Sequence, residues 1–101
     1  MTRARVALPT SSIEAFCKKW KISELSLFGS VLRDDFRPES DIDVMVAFAK
    51  DAEWSLFDFV DMQDELKAIF GREVDLVEKT SINNPYRRYE ILSTKEVVYA
   101  R

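Results

Sequence analysis

The chain contains no histidine, and this is its most restrictive absence. Ser-His-Asp and Cys-His triads, His-ligated zinc and histidine general bases are all excluded. Any catalysis must run on carboxylates, hydroxyls, Lys and Arg, with or without a hard metal. Cysteine is almost as scarce. Cys17 is the only one, so no intrachain disulfide can form and an oxidising compartment has nothing to offer this fold. Long apolar runs are missing too: the longest, Val44 to Ala49, is six residues, against the roughly 20 that a membrane span requires. Arg3 and Arg5 are followed by no apolar stretch, so no signal peptide is expected. An excess of basic charge is also absent. Fifteen Lys and Arg against eighteen Asp and Glu leave a net charge of −3, which argues against direct nucleic-acid binding through neutralised phosphates.

What is present is globular. Hydrophobic residues make up 47% of the 101 residues and charged residues 33%, with no internal repeat, low-complexity segment or linker. The expectation is a single cytoplasmic domain over residues 1–101.

Ile13, Phe16, Cys17 and Trp20 share one helical face and predict a helix over about Ser12 to Trp20, with Ser11 and Glu14 at capping-box spacing. Glu24 to Phe28 reads as a strand ending at Gly29-Ser30, followed by a short helix over Val31 to Asp34 and a turn through Arg37 to Ser40. Asp41 to Phe48 alternates: Ile42, Val44, Val46 and Phe48 lie on one face, Asp41, Asp43, Met45 and Ala47 on the other. A helix over Leu56 to Phe70 is opened by Ser55 with Asp58 and closed by Gly71, with Leu56, Phe59, Val60, Leu66, Ile69 and Phe70 as its apolar stripe. Val74 to Glu78 is a strand, Asn84-Pro85 opens a helix to about Leu92, and Val97 to Ala100 is a last strand. This order predicts a small α/β domain with helices covering a sheet.

Gly29-Ser30 stands where a strand hands over to a helix. Such a turn presents unpaired N–H groups and the positive end of a helix dipole, a favourable place for phosphate. Asp41 and Asp43, two apart on a strand, project from one face. Their repulsion, about 4 kcal/mol for charges 4 Å apart at an effective dielectric near 20, is relieved by a divalent cation. Oxygen ligands with positions left for water and phosphate suit Mg²⁺. Asp75 can bring a third carboxylate to the same side. These are the parts of two-metal nucleotidyl transfer: one ion on Asp41 and Asp43 with the triphosphate, another shared with Asp75.

Plainer readings stand beside these. A lone D-x-D is usually a solvated strand edge, although Val44, Met45 and Val46 exclude a calcium loop. Arg33 either contacts triphosphate or pairs with Asp34, Asp35 or Glu39, and Ser40 either contacts nucleotide or caps a turn. Arg87 and Arg88 read as a solvated helix face or as a grip on an acidic group. Cys17 reads as a core thiol, and Asp58, Asp61, Asp64 and Glu65 as a wet helix face. Trp20 and Trp54 read as packing residues, or Trp54 as an exposed interface residue.

Gly29-Ser30, ten intervening residues and Asp41-x-Asp43 resemble the signature of the DNA polymerase β-like nucleotidyltransferases. Arg33 and Ser40 fit the same pattern, and Asp75 stands where that family carries its third metal-binding Asp. Asn84-Pro85-Tyr86 with Arg87, Arg88, Glu90 and Ile91 resembles the C-terminal helix of the minimal nucleotidyltransferases. The likeness runs from Leu25 to Tyr99; the glycine usual after the arginine is Asp34 here.

The resemblance implies a palm-like α+β fold, a small mixed sheet flanked by helices. It further implies Asp41, Asp43 and Asp75 as catalytic, metal-binding residues, with Gly29, Ser30, Arg33 and Ser40 on the nucleotide. The implied function is that of the minimal nucleotidyltransferase antitoxin in a two-gene pair. It would transfer AMP from ATP, with Mg²⁺, to a tyrosine of a HEPN ribonuclease toxin, in a hetero-oligomer with that toxin. Two rivals remain: an antitoxin that silences the toxin by binding alone, and a nucleotidyltransferase with a small-molecule or RNA acceptor.

Overall fold

The computed structural model describes residues 9–29 and 41–100. The short helix expected over Val31 to Asp34 and the turn through Arg37 to Ser40 lie outside the described residues.

Among the described residues, seven main elements follow in chain order: α1 (Thr10–Lys19), β1 (Ile22–Phe28), β2 (Ile42–Phe48), α2 (Leu56–Phe70), β3 (Val74–Glu78), α3 (Pro85–Thr94) and β4 (Glu96–Ala100). A 3-10 turn, Lys79–Ser81, joins β3 to α3. The sheet has the order β3-β2-β1-β4. β1 pairs antiparallel with both β2 and β4, and β2 pairs parallel with β3. The connection between the parallel strands is α2, as a parallel pair requires.

Burial divides along the strand period of two. Leu25, Leu27, Ile42, Val44, Val46, Val74 and Leu76 face α1 and α2, where Ile13, Phe16, Cys17, Met62 and Leu66 complete the larger core. Phe28 and Met45 face the other way and meet Ile91 of α3, with Val77, Ile82 and Leu92 around them. The fold is therefore three layers, with α1 and α2 on one face of the sheet and α3 on the other. Burial pushes the Cys17 thiol up to about 12, so it is a core group rather than a nucleophile. No helix of the described residues is long and apolar enough to cross a membrane.

The α2 boundaries match the sequence reading because both ends are built from local chemistry. Ser55 Oγ accepts from Asp58 N–H at 3.2 Å and Asp58 Oδ2 accepts from Ser55 N–H at 2.9 Å. Gly71 closes the helix at φ 70°, its N–H donating to Lys67 O at 2.8 Å. Asn84 Oδ1 likewise accepts from the N–H groups of Tyr86 and Arg87, with Pro85 at the first helical position.

Two local expectations are corrected. The Ser11–Glu14 capping box does not form. Helix α1 starts at Thr10 after Pro9, so Ser11 lies within its first turn, and Glu14 pairs with Lys18 at 2.8 Å. On α2, Leu56 is 77% and Val60 52% exposed, whereas Met62 and Leu66 are fully buried. The buried arc runs through Phe59, Met62, Leu66 and Ile69, and at about 100° per residue Val60 points almost opposite Met62.

Trp20 and Trp54 are packing residues. Their rings meet edge to face at 5.1 Å, and Trp54 Nε1 donates to Trp20 O at 2.9 Å, which ties the segment before α2 to the end of α1. On the α3 side, Lys95 donates to Glu24, whose Oε2 also accepts from the buried Ser26 hydroxyl. The hydrogen bond from Lys95 is the main reason the Glu24 carboxyl sits below its ordinary 4.5. A lowered carboxylate stabilises the fold above that ordinary value, and the contribution disappears as pH falls through the lower folded value. Lys95→Met is expected to cost about 1.5 kcal/mol at neutral pH. The same variant should flatten the acid limb of stability, as urea unfolding at a series of pH values below 4.5 and above it would measure.

Candidate active site

The site is assembled where β1 ends and β2 and β3 begin. Phe28, the last residue of β1, is the partner of Asp43 on β2, and Asp43 is the partner of Asp75 on β3. Partners in a parallel pair point to the same face, so Asp43 and Asp75 stand side by side on the α3 face of the sheet. Asp41 stands at the head of β2, exposed, with the buried Ile42 between it and the half-buried Asp43. Ile42 N–H donates to Glu73 O at 3.0 Å, which extends the β2–β3 pairing to this end.

Gly29 follows β1 at φ +74°, the left-handed region. A Cβ built on it would collide with Asp43 Oδ2. The sequence reading gave this glycine to phosphate approach; the structure adds that it leaves the room in which the Asp43 carboxylate lies. Ser30, Arg33 and Ser40 lie outside the described residues.

Among the described residues, no three of the Asp, Glu and Cys side chains converge on one point as a metal cluster. What the sheet brings together is the Asp43/Asp75 pair, with Asp41 flanking. A donor set of carboxylates with no nitrogen or sulfur fits a hard cation. Two protein oxygens with the remaining positions left to water and phosphate are typical of Mg²⁺.

Two further residues support the site. Gln63 of α2 accepts from Leu76 N–H at 3.4 Å and so covers the edge strand beside Asp75. No sequence pattern pointed to it, because the contact is created by α2 lying along β3. Arg88 is half-buried and donates to Lys79 O at 2.9 Å, tying α3 to the 3-10 turn, whereas Arg87 is exposed. The solvated reading thus holds for Arg87 and not for Arg88.

Gly29→Ala tests the packing of the turn on Asp43. A side chain at positive φ costs about 1–2 kcal/mol, and the added methyl must displace the Asp43 carboxylate. The expected result is a folded protein with a lowered Tm and a clearly larger loss in Mn²⁺ affinity, read by calorimetry. Unchanged metal affinity would show that the carboxylate tolerates the displacement.

Comparison with known proteins fits this geometry. The profile of the nucleotidyltransferase domain matches residues 11–98. A Methanocaldococcus jannaschii protein named provisionally as a protein adenylyltransferase is 40% identical over 73 residues, 72% of this chain and 73% of that protein. The protein adenylyltransferase MntA of Thermococcus cleftensis is 32% identical over 82 residues, 81% of this chain and 78% of its own. Among solved structures, a protein described as a minimal nucleotidyltransferase superposes with a TM-score of 0.70 at 26% identity, covering 86% of each chain. A chain of a toxin–antitoxin complex with AMP-PNP superposes with a TM-score of 0.73 at 20% identity, covering 93% of this chain and 75% of that one. With the profile spanning nearly the whole chain over a fold of the same kind, this protein belongs to the nucleotidyltransferase domain family.

Proposed function

We propose that the chain is a Mg²⁺-dependent protein adenylyltransferase, the antitoxin of a toxin–antitoxin pair, which transfers AMP from ATP to a tyrosine of its HEPN toxin. The observation that carries this reading is the register that sets Asp43 beside Asp75, with Gly29 against Asp43. Support comes from the relative named protein adenylyltransferase MntA. The solved neighbours include a tri-AMPylated HEPN toxin of Shewanella oneidensis in complex with its antitoxin, whose fold matches this chain with a TM-score of 0.64.

The roles follow from position. Asp41 and Asp43 would hold the cation together with the triphosphate. Ser30, Arg33 and Ser40 are assigned to the phosphates on the sequence pattern, and Gly29 leaves the room that the Asp43 carboxylate occupies. When bound, Mg²⁺ neutralises charge on the triphosphate and lowers the pKa of a nearby hydroxyl. The acceptor tyrosine oxygen forms a bond to the α-phosphorus of ATP. The bond from that phosphorus to the bridging oxygen breaks, and pyrophosphate leaves. Asp75 takes the phenolic proton, whose ordinary pKa is about 10.

Asp43→Asn is expected to keep the fold and lower transfer at least 10²-fold, about 2.7 kcal/mol of barrier, measured by mass spectrometry of the toxin after incubation with ATP and Mg²⁺. Wild-type ATP affinity should collapse in EDTA; equal affinity with and without the cation would sink the metal assignment. Asp75→Ala separates the roles: ATP affinity should survive while transfer slows. Loss of both would move Asp75 to the nucleotide site, and loss of neither would remove it from the reaction.

A further inference from the structure

Helix α3 is the one helix among the described residues on the sheet face that carries Asp43 and Asp75. Ile91 packs on Met45, the next residue after Asp43 on that face, and same-face neighbours on a strand stand about 7 Å apart. The helix is therefore the wall beside the carboxylates. It is held firmly: Ile91 is buried, Arg88 bonds back to Lys79 O, and Asn84 caps its start.

Its outward face is unusual for a helix so fixed. Tyr86 and Tyr89, at spacing i and i+3, are 85% and 75% exposed, and neither hydroxyl is hydrogen-bonded among the described residues. Exposed Arg87 lies between them in sequence. Nothing in the packing of the described residues calls for two large aromatic rings here. Tyr and Arg are the residues that concentrate binding energy at protein interfaces, and a ring of this size covers about 150–250 Å² when buried.

We infer that Tyr86 and Tyr89 recognise the protein that carries the acceptor tyrosine. A small acceptor could reach the carboxylates without touching α3. A folded protein that delivers a side chain to them must seat its surface against the wall beside them. The other exposed apolar patch, Leu56, Phe57 and Val60, is on α2 across the sheet from the carboxylates and has no such constraint on what covers it. This inference rests on the proposed transfer to a toxin for the partner's identity, and it concerns specificity rather than chemistry.

The test uses the chain with its cognate toxin, ATP and Mg²⁺. For Tyr86→Ser combined with Tyr89→Ser, the KM for toxin should rise at least 10-fold, while kcat, ATP affinity and Tm stay near wild type. The paired Tyr→Phe substitutions, which keep the rings, should recover most of the loss. An unchanged KM would overturn the inference, as would a fall in kcat alone, which would make the helix a support for the carboxylates. A dimer of the chain by itself that the Ser variants dissolve would also overturn it, in favour of self-association. If wild type transfers no AMP, the proposed function fails but the inference remains testable. Calorimetric affinity for the unmodified toxin should still fall 10-fold in the double variant, and equal affinity would refute it.

Discussion

The parallel pairing of β2 with β3 is the constraint on which the site depends. Its register sets Ile42 beside Val74, Asp43 beside Asp75 and Val44 beside Leu76. The apolar partners of this ladder are buried against α1 and α2, so the register is fixed by the core rather than by the carboxylates. A slip of one residue would turn Val74 and Leu76 to the opposite face and Asp75 into the core. Burial of those two side chains therefore holds Asp43 and Asp75 side by side on the opposite face.

The two faces of the sheet serve different ends. The α1/α2 face is covered along the strands, and its interior is aliphatic and aromatic. The α3 face is covered only in part: Met45 is buried under Ile91, whereas Asp43, two residues earlier on the same face, is half-buried and Asp41 is exposed. One strand, β2, thus passes from candidate site to core within a single face. The position of α3 sets that boundary, and the Glu24–Lys95 pair and the Arg88 contact with Lys79 help fix the position.

Close packing at the turn after β1 adds a second constraint. Gly29 stands at positive φ against Asp43, so the strand-ending turn and the Asp43 carboxylate share one space. A residue read as backbone permissiveness toward phosphate proves also to be a steric requirement of the neighbouring strand. Contacts of this kind leave no trace in spacing, because Gly29 and Asp43 are brought together by the antiparallel pairing of β1 with β2.

Local chemistry was legible in the sequence. The boundaries of α2, β3 and the start of α3 follow from Ser55 with Asp58, Gly71, the Val74–Glu78 alternation and Asn84-Pro85, each a signal that acts within a few residues. The alternation of β2 also told which side Asp41 and Asp43 would take, and the spacing of Gly29-Ser30 from that pair named the family. Tertiary structure decided the rest. Met62 displaced Val60 and Leu56 from the buried arc of α2 because a helix offers several candidate faces and only the opposing sheet selects one. Asp75 joined Asp43 because α2 returns the chain parallel to β2 in that register, and Gln63 found Leu76 for the same reason. The sequence by itself determined which groups were available and how each segment folds; which of them meet was decided by burial of apolar surface between segments distant in the chain.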